Sequence, residues 1–297
     1  MRSLFLLPVA LGLGLAAGPA QAQDLADLAR DPVVLAEAFA RGIARPQDAA
    51  LAGEAAANPI SLAKFPRGAR VTAREHWRGA GRALVGVAFA TGTDDADDAG
   101  RDLYVFLDSL PDLDPGPWRI TAFRVWDLPR GSRQQIDRYR NKSEPMLRRE
   151  YEERFRASAE RGVSRAEHDA VHGGVENHVF RVYNLRLANS TDAGLARHHA
   201  FLREHFDDLR AAVAAREPSP LPIATDDAAL GADMRYLLVR RVHHPADGPL
   251  RLEVASLGGE DVGYLYCDSP DCIPTPTPGG VVALVDLGGG WWLYRTV

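Results

Sequence analysis

The stretch that most constrains this chain runs over residues 262–297. It reads as strand, constrained loop, strand, tight turn, strand. The strands are 262–266, 281–287 and 291–297. Between them lie Cys267-Asp268-Ser269-Pro270-Asp271-Cys272 with a Pro-Thr-Pro-Thr-Pro tail, and then Gly288-Gly289-Gly290. β-Branched and aromatic runs punctuated by proline and glycine clusters are the pattern of antiparallel strands joined by short turns. The two cysteines of the chain are both here. Pro270 bends the segment between them, so Cys267 and Cys272 are expected to form a structural disulfide, with about 2 kcal/mol of loop-closure stabilisation. A redox pair is disfavoured: the spacing is not Cys-x-x-Cys, and Asp268 and Asp271 raise thiol pKa values.

A fainter copy lies at residues 103–127. An aromatic strand is followed by Asp108-Ser109, a proline, a second aspartate, a Pro/Gly turn, and the strand from Trp118 to Trp126. The echo predicts a decayed tandem repeat. In the strand after the turn, alternation places Ile120, Ala122, Arg124 and Trp126 on one face and Phe123 and Val125 on the other, so both faces are expected to be covered.

The rest of the chain alternates between the two periods. Residues 24–57 are alanine-rich and helical, with Asp31-Pro32 as a cap and first-turn proline. Residues 69–127 read as a four-stranded meander. Residues 132–215 read as helices: a stripe of Leu147, Tyr151 and Phe155, an ambiguous segment over 164–187 opened by a Ser164/Glu167 capping box, and a third helix with Leu195, Leu202, Phe206, Leu209 and Val213 on one face. Residues 234–297 return to strands, beginning with one over 234–242. The expectation is an α+β chain of two helix-plus-antiparallel-sheet units, 23–130 and 131–297. The helical segment 131–217 joins them, and 218–297 forms the second sheet. This order of elements resembles the cystatin-like or nuclear-transport-factor-like cone architecture. The likeness is of element order, and no function is carried over from it.

Compartment is read from the N-terminus. Arg2, an apolar run over residues 4–15 and Ala20-Gln21-Ala22 form a secretory signal peptide over 1–22, with Gln23 as the expected mature N-terminus. The mature chain is expected to be soluble, exported to the periplasm or beyond, with no membrane span. Signal removal takes the net charge from −5 to −6 by loss of Arg2. Such an ordinary acidic balance argues against general nucleic-acid binding.

Few constellations carry chemistry. His168 and His172, four apart on a helix, with Glu176 beyond, are candidate zinc ligands for a hydrolytic water. His198, His199 and His205 are more widely spread, and His243-His244 is expected in a hairpin turn. Asp94, Asp95, Asp97 and Asp98 supply hard oxygens without a calcium-loop order, and read as a solvated hairpin tip. Nucleophile-elbow and nucleotide-loop motifs are absent, and no cofactor is implied. Trp118, Trp126, Trp291, Trp292 and Tyr294 lie on terminal strands, and one of each Trp pair is expected to line a groove. The sequence thus points to a non-catalytic binding or interaction module for a small apolar ligand, a peptide or an envelope partner. The alternative is a metal-dependent hydrolase on His168 and His172.

Overall fold

A computed structural model describes residues 27–42, 51–57, 69–90, 102–110, 117–126, 130–257 and 259–297. The signal segment 1–22 and the acidic loop with Asp94, Asp95, Asp97 and Asp98 lie outside the described residues.

The first sheet is a meander of β1 (Arg70–Gly79), β2 (Arg82–Ala90), β3 (Asp102–Ser109) and β4 (Trp118–Val125), in that spatial order. One face is covered by α1 (Pro32–Ala40) and α2 (Gly53–Ala57). The α1 start follows its sequence: Asp31 Oδ1 accepts from the Val33 and Val34 amides at 2.7 and 3.2 Å, with Pro32 at the first turn. Leu35, Ala36 and Phe39 then pack on Val85, Val87, Leu103, Val105 and Ile120.

Alternation fails at one point in β4. Leu107 pairs with Ile120 and Phe106 with Ala122, so Thr121 is the extra residue of a bulge. Trp118 and Ile120 therefore face the α1 side, whereas Ala122 and Trp126 face the opposite core. The expected single face of Ile120, Ala122 and Trp126 is corrected by that extra residue, which flips every later side chain.

Six helices follow: α3 (Arg130–Tyr139), α4 (Glu144–Ala159), α5 (Arg165–His172), α6 (Gly174–Ala188), α7 (Asp192–Phe201) and α8 (Arg203–Ala214). The ambiguous segment resolves as α5 and α6, divided by Gly173 at φ 80°, a left-handed position that glycine takes without a Cβ penalty. The third expected helix is broken at Leu202 (φ −109°, ψ 19°) into α7 and α8.

The second sheet contains β5 (Ser219–Ala224), β6 (Arg241–His244), β7 (Leu250–Leu257), β8 (Glu260–Tyr266), β9 (Val281–Gly288) and β10 (Trp291–Thr296). Their spatial order is β5-β6-β7-β8-β10-β9, all neighbours antiparallel. The expected strand over 234–242 is corrected. Gly231–Tyr236 is a short helix, α9, and pairing begins only at Arg241. Asp227 Oδ1 accepts from the Ala229 and Leu230 amides just before α9, and Leu238 at φ 54° turns the chain out of it. A short apolar run fits either period, and local capping decides here.

The closing stretch folds as read, except that β10 inserts between β8 and β9. The connection over residues 267–280 crosses to place β9 outside, and the Cys267–Cys272 disulfide (Cα–Cα 5.7 Å) pinches its first part. The Cys267 amide donates to the Gly290 carbonyl at 2.8 Å. A Cβ at Gly290 would stand 2.6 Å from the Cys267 carbonyl oxygen, so the close approach needs glycine. The earlier echo differs in pairing, since β3 pairs directly with β4 whereas β8 pairs with β10.

The inner faces of both sheets share one core. Leu84, Tyr104, Phe106, Ala122 and Trp126 of the first meet Val242, Leu252, Val262, Tyr264, Val282, Trp291 and Leu293 of the second, with Leu195, Phe206, Leu209 and Val213 from α7 and α8.

Candidate functional site

The α5 helix is intact across the histidine pair. Ser164 and Glu167 form the capping box, and the left-handed Gly173 ends the helix one residue after His172. The His168 and His172 rings lie 4.5 Å apart. His168 is buried, edge-on to Tyr151 and Phe155 at 5.2 and 5.6 Å, and its Nε2 has no hydrogen-bond partner among the described residues. Burial, then the neighbouring His172, lowers its pKa. Glu176 does not continue this face. It lies on α6 beyond the break, and both its oxygens are taken by Arg148 at 2.5 and 2.8 Å. Among the described residues, no group of three His, Cys, Asp or Glu is arranged to hold a metal ion.

His198, His199 and His243 are taken up by packing and hydrogen bonding away from the α5 pair. His199 is buried against Phe206, Trp291 and Tyr264, and His198 Nδ1 lies 3.0 Å from the Tyr264 hydroxyl. Burial brings both down to about 4. His243 sits in β6, not in a turn, with Nε2 3.3 Å from the buried Glu253 carboxylate.

The five expected groove aromatics are separated into three clusters. Trp118 packs on the α1 side under the Arg78 guanidinium, and Trp126 and Trp291 are in the shared core. Tyr294 and the half-buried Trp292 are on the outer face of the second sheet, with Leu265, Cys267 and Leu284. Alternation correctly divides Trp291 from Trp292. Trp291 is fully buried and its Nε1 donates to Asp207 at 2.9 Å. Four of the five side chains are thus committed to packing.

Where the sheets meet, the structure builds a charged centre that the sequence reading missed. Arg295, on the inward phase of β10 with Trp291 and Leu293, is fully buried. Its Nε donates to Asp192 Oδ1 at 2.9 Å and its Nη2 to the Ser190 carbonyl at 2.7 Å, while Asp102 Oδ2 lies 3.7 Å from Nη2. The Tyr104 hydroxyl donates to Asp192 at 2.9 Å, and the Asp192 amide, at the N-terminus of α7, donates to Asp102 Oδ2 at 3.0 Å. The guanidinium also stacks 4.5 Å above the Trp126 ring.

A bulge between Glu75 and Trp77 aims His76 across Gly86, where any Cβ would stand 2.1 Å from its ring, and leaves it 6.1 Å from Tyr104. Burial opposes the Arg295 charge, but Tyr104, Asp192 and Asp102 outweigh it and keep the guanidinium protonated. Burial, then the Asp192 charge, pushes Asp102 up to about 7. The legible signal was a lone arginine on the apolar phase of a strand.

Several large apolar side chains face solvent, among them Val171, Phe201, Leu221 and Tyr236, and two of these are aromatic. Phe201, at the end of α7, is 86% exposed, and Tyr236, at the end of α9, is 58% exposed. His205, four residues after Phe201, meets the Tyr236 ring edge-on at 4.9 Å. No known protein-family model matches this chain, and neither a curated protein nor a solved structure matches it.

Proposed function

We propose that the protein is a non-catalytic binding or interaction module of the cell exterior. It engages a small apolar ligand, a peptide or an envelope partner through its exposed aromatic side chains, Phe201 and Tyr236. The observation that carries this reading is the exposure of those two rings on helix ends braced by the shared core. Large exposed aromatics on a rigid scaffold are characteristic of interaction sites. Four of the five aromatics favoured by the sequence are committed to packing, which moves the proposed surface from the terminal strands to α7–α9. The disulfide agrees with an oxidising compartment.

The test uses 1-anilinonaphthalene-8-sulfonate as an apolar probe. The native chain is expected to bind it saturably. The variant Phe201→Ser/Tyr236→Ser is expected to lose that binding while its unfolding free energy stays within about 0.5 kcal/mol, as for surface positions. Equal binding by both proteins sinks the assignment to this surface.

A metal-dependent hydrolase is the second reading, favoured by the unbroken helix that holds His168 and His172 one turn apart. Stoichiometric zinc in exported protein, lost with a hydrolytic activity in His172→Ala, would replace the first reading by the second.

A further inference from the structure

The inter-sheet centre places two carboxyl groups and one guanidinium in the interior. With both carboxylates ionised it carries one uncompensated negative charge; with one proton bound it is neutral. A buried, unbalanced charge is costly, so the two states hold the structure with different strength.

The other groups facing the centre do not balance it. Tyr104 from β3 remains a hydroxyl, because burial raises its pKa well above the ordinary value. Burial lowers the pKa of His76 from β1 and so favours its neutral form: the Asp192 charge opposes that effect, and Arg74 and Arg295 reinforce it. Trp126 and the Ser190 carbonyl do not titrate. The bonded groups belong to β3, α7 and β10, so the centre ties the first sheet to the helices and to the second sheet.

We infer that Asp102, Asp192 and Arg295 form a proton-operated latch between the two sheets, closed while the carboxyl pair holds one proton and loosened when that proton leaves. Asp102 carries the exchangeable proton. Burial and Asp192 raise it to about 7, against the opposing Arg295 charge and the Asp192 amide, from an ordinary 3.8. The native chain therefore holds more protons than the unfolded chain between those values. The latch's contribution is full at the acid end of this window and is lost as pH rises through about 7.

Carboxyl-carbon NMR titration of the full chain reads the group directly. An Asp102 midpoint near 7 is expected, and a midpoint near 4 overturns the inference. Thermal unfolding of wild type and Asp102→Asn across pH 5 to 8.5 reads the consequence. The amide is neutral throughout, so wild type should lose midpoint relative to the variant as pH rises, and parallel curves would refute the latch. Should Asp102→Asn fail to fold, the wild-type carboxyl titration decides by itself.

Discussion

At the scale of single residues, buried polar side chains here answer specific gaps in the backbone ladder. Asn184, inside α6, donates its amide to the Leu238 carbonyl at 2.8 Å and the Val254 carbonyl at 2.5 Å. Val254 sits in the β7 bulge between Glu253 and Ala255, and Leu238 in the left-handed turn after α9, so neither carbonyl has an ordinary ladder partner. Asn184→Leu should cost about 2 kcal/mol in urea unfolding, because it leaves two buried acceptors unmet. Gly86→Ala should cost about 1–3 kcal/mol by displacing the His76 ring, and His76→Ala in the same chain should recover part of that loss. His198 and His199 contribute to the acid limit. Their pKa values of about 4 lie below the ordinary 6.5, so the unfolded chain takes up protons first as pH falls. The stability they contribute is present above about 6.5 and lost towards 4. His199→Phe should therefore flatten the unfolding midpoint between pH 4 and 6.5.

At the scale of elements, turn and cap chemistry reads reliably because it is local. Asp31-Pro32, Ser164 with Glu167, and the glycine-rich β9–β10 turn each do what their residues dictate over a few bonds. Elements whose identity rests on long-range packing read less well. Residues 231–236 bury Met234 in the shared core as a helix, although the stretch over 234–242 suits a strand equally. The Thr121 bulge leaves no composition signal and flips the faces of β4. The 267–280 crossing depends on the disulfide for its tight start. Cys267→Ser/Cys272→Ser should lower the unfolding free energy by about 2 kcal/mol and leave the circular dichroism spectrum of the folded state unchanged.

At the scale of the whole molecule, the two sheets are held by one apolar core with one charged centre inside it. Such a centre adds less than its contacts suggest when intact, but removing one partner strands the rest. Arg295→Met should cost on the order of 3–5 kcal/mol at pH 8, measured by denaturant unfolding. Pairing it with Asp102→Asn should return part of the loss, since fewer buried charges are then left alone. No helix among the described residues is long and apolar enough to cross a membrane. Exported protein is expected to begin at Gln23 and to show no free thiol. A mature chain that retains the apolar leader would remove the compartment assignment.

By itself, the sequence determined what depends on neighbours along the chain. This covers the alternation of helical and strand blocks, the caps, the turns, the pairing of Cys267 with Cys272, and the two sides of Trp291 and Trp292. Tertiary structure alone decided what depends on partners far apart in the chain: the β8-β10-β9 order, the shared core of the sheets, the commitment of Trp126 and Trp291 to packing, and the meeting of Asp102, Asp192 and Arg295. Asp192 and Arg295 lie 103 residues apart, and no local period encodes a contact across that distance. Its contacts are strengthened by exclusion of water, which exists only once both sheets have closed on each other.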